Sequence, residues 1–216
     1  MKEDSLPREP TVKSGTEPLA STASLRPHGG DALLLVDVQN DFLPGGSLAV
    51  PSGDETIPAL NRYIELFRRN ALPIYASRDW HPADHCSFRS EGGIWPPHCI
   101  AGSAGAAFSP ELSLPSAAVV ISKAVHRDTD AYSGFEGTDL EQRLRREGVT
   151  RLFIGGLATD YCVLNTVKDA LSQGFDVLLL LDGIRAVNLK PDDGRRAIEE
   201  MTSLGARPVN WEEIAA

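Results

Sequence analysis

The chain has 216 residues, 42% of them hydrophobic, which suffices for one domain with a sizeable core but not clearly for two. The formal net charge is −9, from 21 basic and 30 acidic residues, and the only basic cluster is Arg143, Arg145 and Arg146 on an expected surface helix. That balance excludes an extended basic face for nucleic acid. The longest strongly apolar strip, Val177 to Leu181, is far too short to span a bilayer.

Residues 1–30 are rich in Pro, Ser, Thr and charge, and MKEDSLPREP carries no apolar leader core. A segment that buries so little is expected to be a flexible N-terminal extension, with one folded domain over 31–216. Three cysteines, an odd number, argue for a reducing compartment, here the cytoplasm.

From Asp31 the run ALLLVDV reads as a buried strand, ended by polar residues and a Pro44-Gly45-Gly46 turn. Residues 54–70 read as an amphipathic helix and Leu72 to Ser77 as a second strand. The stretch from 79 to 117 shows no periodicity and is too long for an ordinary connection, which marks it as functional. Ala118 to Ser122 is a third strand, and 138–147 a helix stopped by Gly148. Leu152 to Gly156 is a fourth strand, 160–173 a helix stopped by Gly174, and Asp176 to Leu181 a fifth strand. A helix over 191–204 ends at Gly205 before a short strand over 206–209. Apolar strands alternating with amphipathic helices predict a single three-layer α/β/α domain with a mostly parallel, Rossmann-like sheet of about six strands.

In such sheets ligands bind beyond the carboxyl ends of the strands. Four reactive side chains fall there: Asp37, Asp79, Lys123 and, past the fourth strand, Cys162. With Thr159 as helix cap, Cys162 would lie in a first helical turn, where unpaired N–H groups and a nearby ammonium favour a thiolate. Asp37 could serve as its base, Lys123 would hold Asp37 ionised, and backbone N–H groups of the turn could bind an oxyanion. In RDWHPADHC, Asp79 and His81 alternate on extended chain and can face one ion; His98, in WPPHC, makes a two-histidine, one-carboxylate set. His85 is a fourth ligand or only a neighbour, and Cys86 and Cys99 flank the histidines without being needed to complete the set.

The segments VDVQNDFLPGGSL, SRDWHP, WPPHCIAGSAGAAF, AYSGFEGTDL and GLATDYCV, in this order over about residues 31–210, resemble the nicotinamidases, the metal-dependent branch of the isochorismatase-like cysteine hydrolases. The resemblance implies a catalytic triad of Asp37, Lys123 and Cys162 and metal ligands Asp79, His81 and His98. It implies a pyridine pocket lined by Phe42, Trp95 and Tyr132, a cis peptide between Leu157 and Ala158, and an oxyanion hole of the Ala158 and Cys162 N–H groups. The expected cofactor is one divalent metal ion, zinc, with iron or manganese as alternatives. The expected reaction is hydrolysis of nicotinamide to nicotinate and ammonia in NAD salvage, with pyrazinamide also cleaved. The substrate is the expected partner, with neither nucleic acid nor membrane involved and a homo-oligomer left open. A hydrolase of another small substrate is the alternative within the family; a non-enzymatic binding protein on this fold is the alternative outside it.

Overall fold

The computed structural model describes residues 25–215. Most of the expected N-terminal extension lies outside the described residues, but its last part is tied to the domain. Leu25 packs on the core, and the Gly30 carbonyl accepts the N–H groups of Thr150 and Arg151 at 2.8 and 3.2 Å.

Six parallel strands form one sheet: β1 (Asp31–Val36), β2 (Ile74–Asp79), β3 (Val119–Lys123), β4 (Arg151–Leu157), β5 (Asp176–Arg185) and β6 (Arg207–Val209), in the order β3-β2-β1-β4-β5-β6. Successive side chains of a strand point to opposite faces, so a strand covered on both sides must be apolar throughout. This accounts for the unbroken ALLLV of β1. Leu33 and Leu35 enter one core with Leu60, Phe67 and Phe153, while Ala32, Leu34 and Val36 enter the other with Leu144, Val167 and Met201. Helix α1 (Thr56–Arg69) and the short α5 (Trp211–Ala215) cover the first face. Helices α2 (Leu140–Arg146), α3 (Leu164–Ser172) and α4 (Asp193–Ser203) cover the second. Asp31 and Arg151 close the amino ends of β1 and β4 with two buried hydrogen bonds, from Nε at 2.9 Å and Nη2 at 2.7 Å. Among the described residues no helix is long and apolar enough to cross a membrane.

Most expected elements appear within a few residues of their sequence positions, and the differences have local causes. Strand β2 starts at Ile74 rather than Leu72 because the chain is still closing α1. Ala71 is left-handed (φ 52°), and the Leu72 N–H returns to the Phe67 carbonyl at 3.0 Å, a Schellman cap that Pro73 follows. Strand β5 runs on to Arg185 by an irregularity in its pairing with β4, where the register passes from Ile154↔Leu179 to Gly156↔Ile184. Helix α5 has five residues, too few to show a period. The stretch between β2 and β3 contains a single 3-10 turn (Arg89–Glu91) and is pinned by isolated bridges, His81 to Ile100 and Phe88 to Trp95.

The strand order reverses direction between β1 and β4, which makes their carboxyl ends the place where a crevice opens. Close approach there depends on Gly156: its φ is +131°, and a Cβ on it would lie 2.0 Å from the Val36 carbonyl oxygen. Gly156→Ala should therefore cost about 3 kcal/mol or more in chemical denaturation. Gly137→Ala, left-handed but in open space, should cost only about 1 kcal/mol.

Candidate active site

Four neighbouring strands each deliver one reactive group to this crevice. Asp37 follows β1, in a left-handed conformation (φ 50°). Asp79 and Lys123 are the last residues of β2 and β3 and stand opposite each other in the ladder. Cys162 lies in the turn after β4. The Leu157–Ala158 peptide is cis, as the resemblance implies. The expectation for the following turn needs correction. Ala158, not Thr159, is the capping residue, and Thr159–Val163 form a π-helical turn in which the Val163 N–H reaches the Ala158 carbonyl at 3.1 Å.

Lys123 is the hub. Its Nζ lies 3.0 Å from Asp37 Oδ2, 2.5 Å from Asp79 Oδ1, 3.0 Å from the Ala131 carbonyl and 3.5 Å from Cys162 Sγ. Burial alone would lower its pKa, but the two carboxylates outweigh burial and hold the ammonium well above its ordinary value. Burial raises the Asp37 carboxyl above its usual range, with Lys123 opposing. Asp37 Oδ1 accepts the Ser77 hydroxyl at 2.7 Å, while Oδ2 accepts no aligned hydrogen bond and keeps a lone pair beside the thiol. Burial likewise pushes Cys162 well above the ordinary thiol value, against Lys123. Burial thus works against the preformed thiolate that the helix-turn argument suggests.

Asp79, His81 and His98 are buried, and one ligand atom of each lies within 4.8 Å of the others. The two imidazoles are oriented as ligands should be: His81 Nδ1–H donates to the His98 carbonyl at 3.0 Å and His98 Nδ1–H to the Pro96 carbonyl at 2.8 Å. Each Nε2 lone pair is then free to bind a cation. Burial pushes the His81 pKa down to about 3, which keeps the ring in its neutral, ligating form. Two imidazoles and a carboxylate fit a zinc, iron or manganese ion. His85 stacks on His81 at 4.3 Å between centroids, but both its nitrogens are engaged, Nδ1 with the Ser87 hydroxyl and Nε2 with the Thr129 carbonyl. It also falls with His81 and Asp130 in a second group whose ligand atoms lie within 4.8 Å of one another. Cys86, Cys99 and Cys162 are free thiols.

Both halves open onto one small cavity. Asp79, His98, Ala158 and Cys162 line it together with Phe42, Trp95 and Tyr132. Trp95 Nε1–H donates to the Tyr132 hydroxyl at 2.9 Å, and burial raises that phenol to about 12. Leu48, Val50, Tyr161 and Val187 complete the lining and were not expected from the sequence. The apolar stretch from Leu48 to Val50 after Gly46 is the one signal for them in the sequence. Two structural residues were also missed. Gln39 exchanges amide hydrogen bonds with the Asp79 backbone, both at 2.8 Å, and extends the ladder past the end of β2. Asp160 accepts the Val187 and Asn188 N–H groups at 2.9 and 2.8 Å and so fixes one cavity wall.

A buried thiol, a carboxylate and a lysine thus meet at the switch point of a parallel α/β sheet. Residues 31–213 match the isochorismatase domain, and the chain belongs to that family. Within the family it is similar to the nicotinamidase of Escherichia coli, at 41% identity over 84% of this chain and 97% of the relative. Among solved structures it is similar to the Pyrococcus horikoshii pyrazinamidase in complex with zinc, at 51% identity and a TM-score of 0.81, covering 84% of this chain and 99% of that one. It is also similar to the L. infantum PnC1 in complex with nicotinate, at 36% identity and a TM-score of 0.80, covering 91% and 98%.

The hub generates a stability prediction. Lys123→Met would leave two buried carboxylates uncompensated and should cost about 3–5 kcal/mol in urea denaturation. Adding Asp37→Asn should recover part of that loss, a non-additivity that a double-mutant cycle would read directly.

Proposed function

We propose that the chain hydrolyses the carboxamide of nicotinamide to nicotinate and ammonia, and that it accepts pyrazinamide as a second substrate. The observation that carries this reading is the shared cavity. Cys162 lines the same small, partly aromatic space as Asp79 and His98. A flat heteroaromatic amide fits that arrangement, with its ring held at one end and its carbonyl carbon at the other. The names of the relatives point the same way.

The pyridine ring packs against Phe42 and Trp95, and Tyr132 holds the Trp95 indole in place. Asp79, His81 and His98 would hold a divalent ion, which when bound supplies a Lewis-acid contact for the ring nitrogen. Asp37 takes the Cys162 proton as Sγ attacks the carboxamide carbon. The Ala158 and Cys162 N–H groups receive the oxyanion. Asp37 returns its proton to the nitrogen, the C–N bond breaks, and ammonia leaves a thioester on Sγ. Asp37 then deprotonates a water that attacks the thioester; the C–S bond breaks, nicotinate departs and the thiol is restored. Lys123 stays protonated throughout and balances whichever of Asp37 and Cys162 carries the charge. Such a reaction returns nicotinamide to NAD synthesis, and three free thiols suit a cytoplasmic enzyme.

Ammonia release tests the reading. Cys162→Ala should lower kcat/KM for nicotinamide by a factor on the order of 10⁴ or more; full turnover by that variant would sink the mechanism. Removing the metal with a chelator, or substituting His98→Ala, should act mainly by raising KM. Benzamide, which lacks the ring nitrogen, should be poorer than nicotinamide by at least about tenfold, roughly 1.4 kcal/mol. Equal rates for the two amides would remove the anchoring role assigned to the ion.

A further inference from the structure

The loops NDFLPGGSL and HCIAGSAG meet at one half-buried side chain that the reaction does not use, Asp41. Its Oδ2 accepts the Cys99 N–H at 2.7 Å and its Oδ1 the Ser47 N–H at 3.2 Å. Its own N–H donates to the Gly105 carbonyl at 3.0 Å, and its carbonyl accepts the Leu48 N–H at 2.9 Å. Each of the segments so tied carries part of the site. Phe42 follows Asp41 directly, Leu48 lines the cavity, and Cys99 follows His98. Cys99 is left-handed (φ 47°), a conformation that a non-glycine residue keeps only where its surroundings impose it. The carboxylate bond to its N–H is such a constraint, one residue beyond the His98 imidazole. The Phe42 and His98 rings lie 5.6 Å apart, so the apolar wall and the ligand are placed against each other.

The space around Asp41 is cut to fit. A Cβ on Gly105 would lie 2.1 Å from Asp41 Oδ2, and one on Gly46 would lie 2.4 Å from the Asp41 carbonyl oxygen. The two glycines thus leave room for the carboxylate and the backbone of the same residue. No side chain at position 105 can coexist with the carboxylate where it stands.

We propose that Asp41 is a positioning residue that sets His98 for metal binding and Phe42 for packing on the substrate ring, with Gly105 as its clearance. The inference rests on Asp79, His81 and His98 being the metal ligands. Outer partners that orient a ligand typically matter by about 10–100-fold in metal affinity.

The test compares zinc affinity, by competition with a chromophoric chelator, in the full chain and in four variants. Near-UV circular dichroism and thermal melting monitor folding. His98→Ala should lose tight zinc binding. Asp41→Ala and Gly105→Ala should bind zinc about 10–100-fold more weakly at temperatures well below their melting, and KM for nicotinamide should rise by a larger factor than kcat falls. Asp41→Asn keeps one acceptor oxygen and should fall between wild type and Asp41→Ala; it carries the test if the alanine variant does not fold. Wild-type zinc affinity in Asp41→Asn and Gly105→Ala, with His98→Ala impaired, would overturn the role of Asp41. Wild-type affinity in His98→Ala would overturn the ligand set and the proposal with it.

Discussion

Lys123 carries a full charge with almost no exposed surface, and the site is arranged around that fact. An isolated buried ammonium would cost several kcal/mol and would shed its proton instead. Here Asp37, Asp79 and the Ala131 carbonyl surround it. Asp37, Asp79 and Lys123 come from the ends of three adjacent strands, so their spacing is the spacing of the sheet. The register that sets Asp79 opposite Lys123 is fixed by apolar side chains a full strand length away from the chemistry. Core packing and site geometry are thus one constraint.

Asp79 belongs to two arrangements at once. Its Oδ1 meets the Lys123 ammonium, and the same carboxylate stands with His81 and His98. A cation on the imidazole side would draw electron density from a group that also neutralises the lysine. The ligand set and the thiol set therefore cannot be tuned independently. Where β2 ends, side-chain to backbone bonds from Gln39 and Asp41 hold the chain beside the bridge from His81 to Ile100. In a parallel sheet, the place where the ladder ends is the place where polar side chains take over its work.

What could be read from the sequence and what could not divide along that same line. The sheet was legible because burial on both faces leaves long apolar runs such as ALLLV, and the helices because glycines at 148, 174 and 205 end them. The strand-end polar residues were legible because a charge at the close of an apolar run is conspicuous. The start of β2, the π-helical turn and α5 were not, since each follows from local backbone closure or from a length too short to show a period. The engagement of His85 was not legible either. Whether a histidine ligates or supports depends on what meets its two nitrogens, and Thr129 is 44 residues away in sequence. Asp160, Gln39 and Asp41 were silent for the same reason, as their partners are backbone N–H and carbonyl groups that every residue has.

The proposed first step can be weighed against these surroundings. Moving a proton from Cys162 to Asp37 transfers a negative charge from one buried atom to another. Burial raises both groups, so it disfavours the charge on either atom. Lys123 Nζ is 3.0 Å from the carboxylate oxygen and 3.5 Å from the sulfur, so the charge barely changes its distance from the ammonium. At an effective dielectric of about 20 that shift costs only about 1 kcal/mol. The remaining cost is the intrinsic difference between a thiol and a carboxylic acid, about 6 kcal/mol. A turnover of about 10 s⁻¹ corresponds to a barrier of roughly 16 kcal/mol. Proton transfer therefore fits within the barrier and leaves about 9 kcal/mol for attack on the carbonyl. Without the ammonium the same transfer would still move a single negative charge, but the carboxylate before it and the thiolate after it would each be buried with no counter-charge. The lysine is needed less to make a strong base than to compensate the charge on whichever atom carries it.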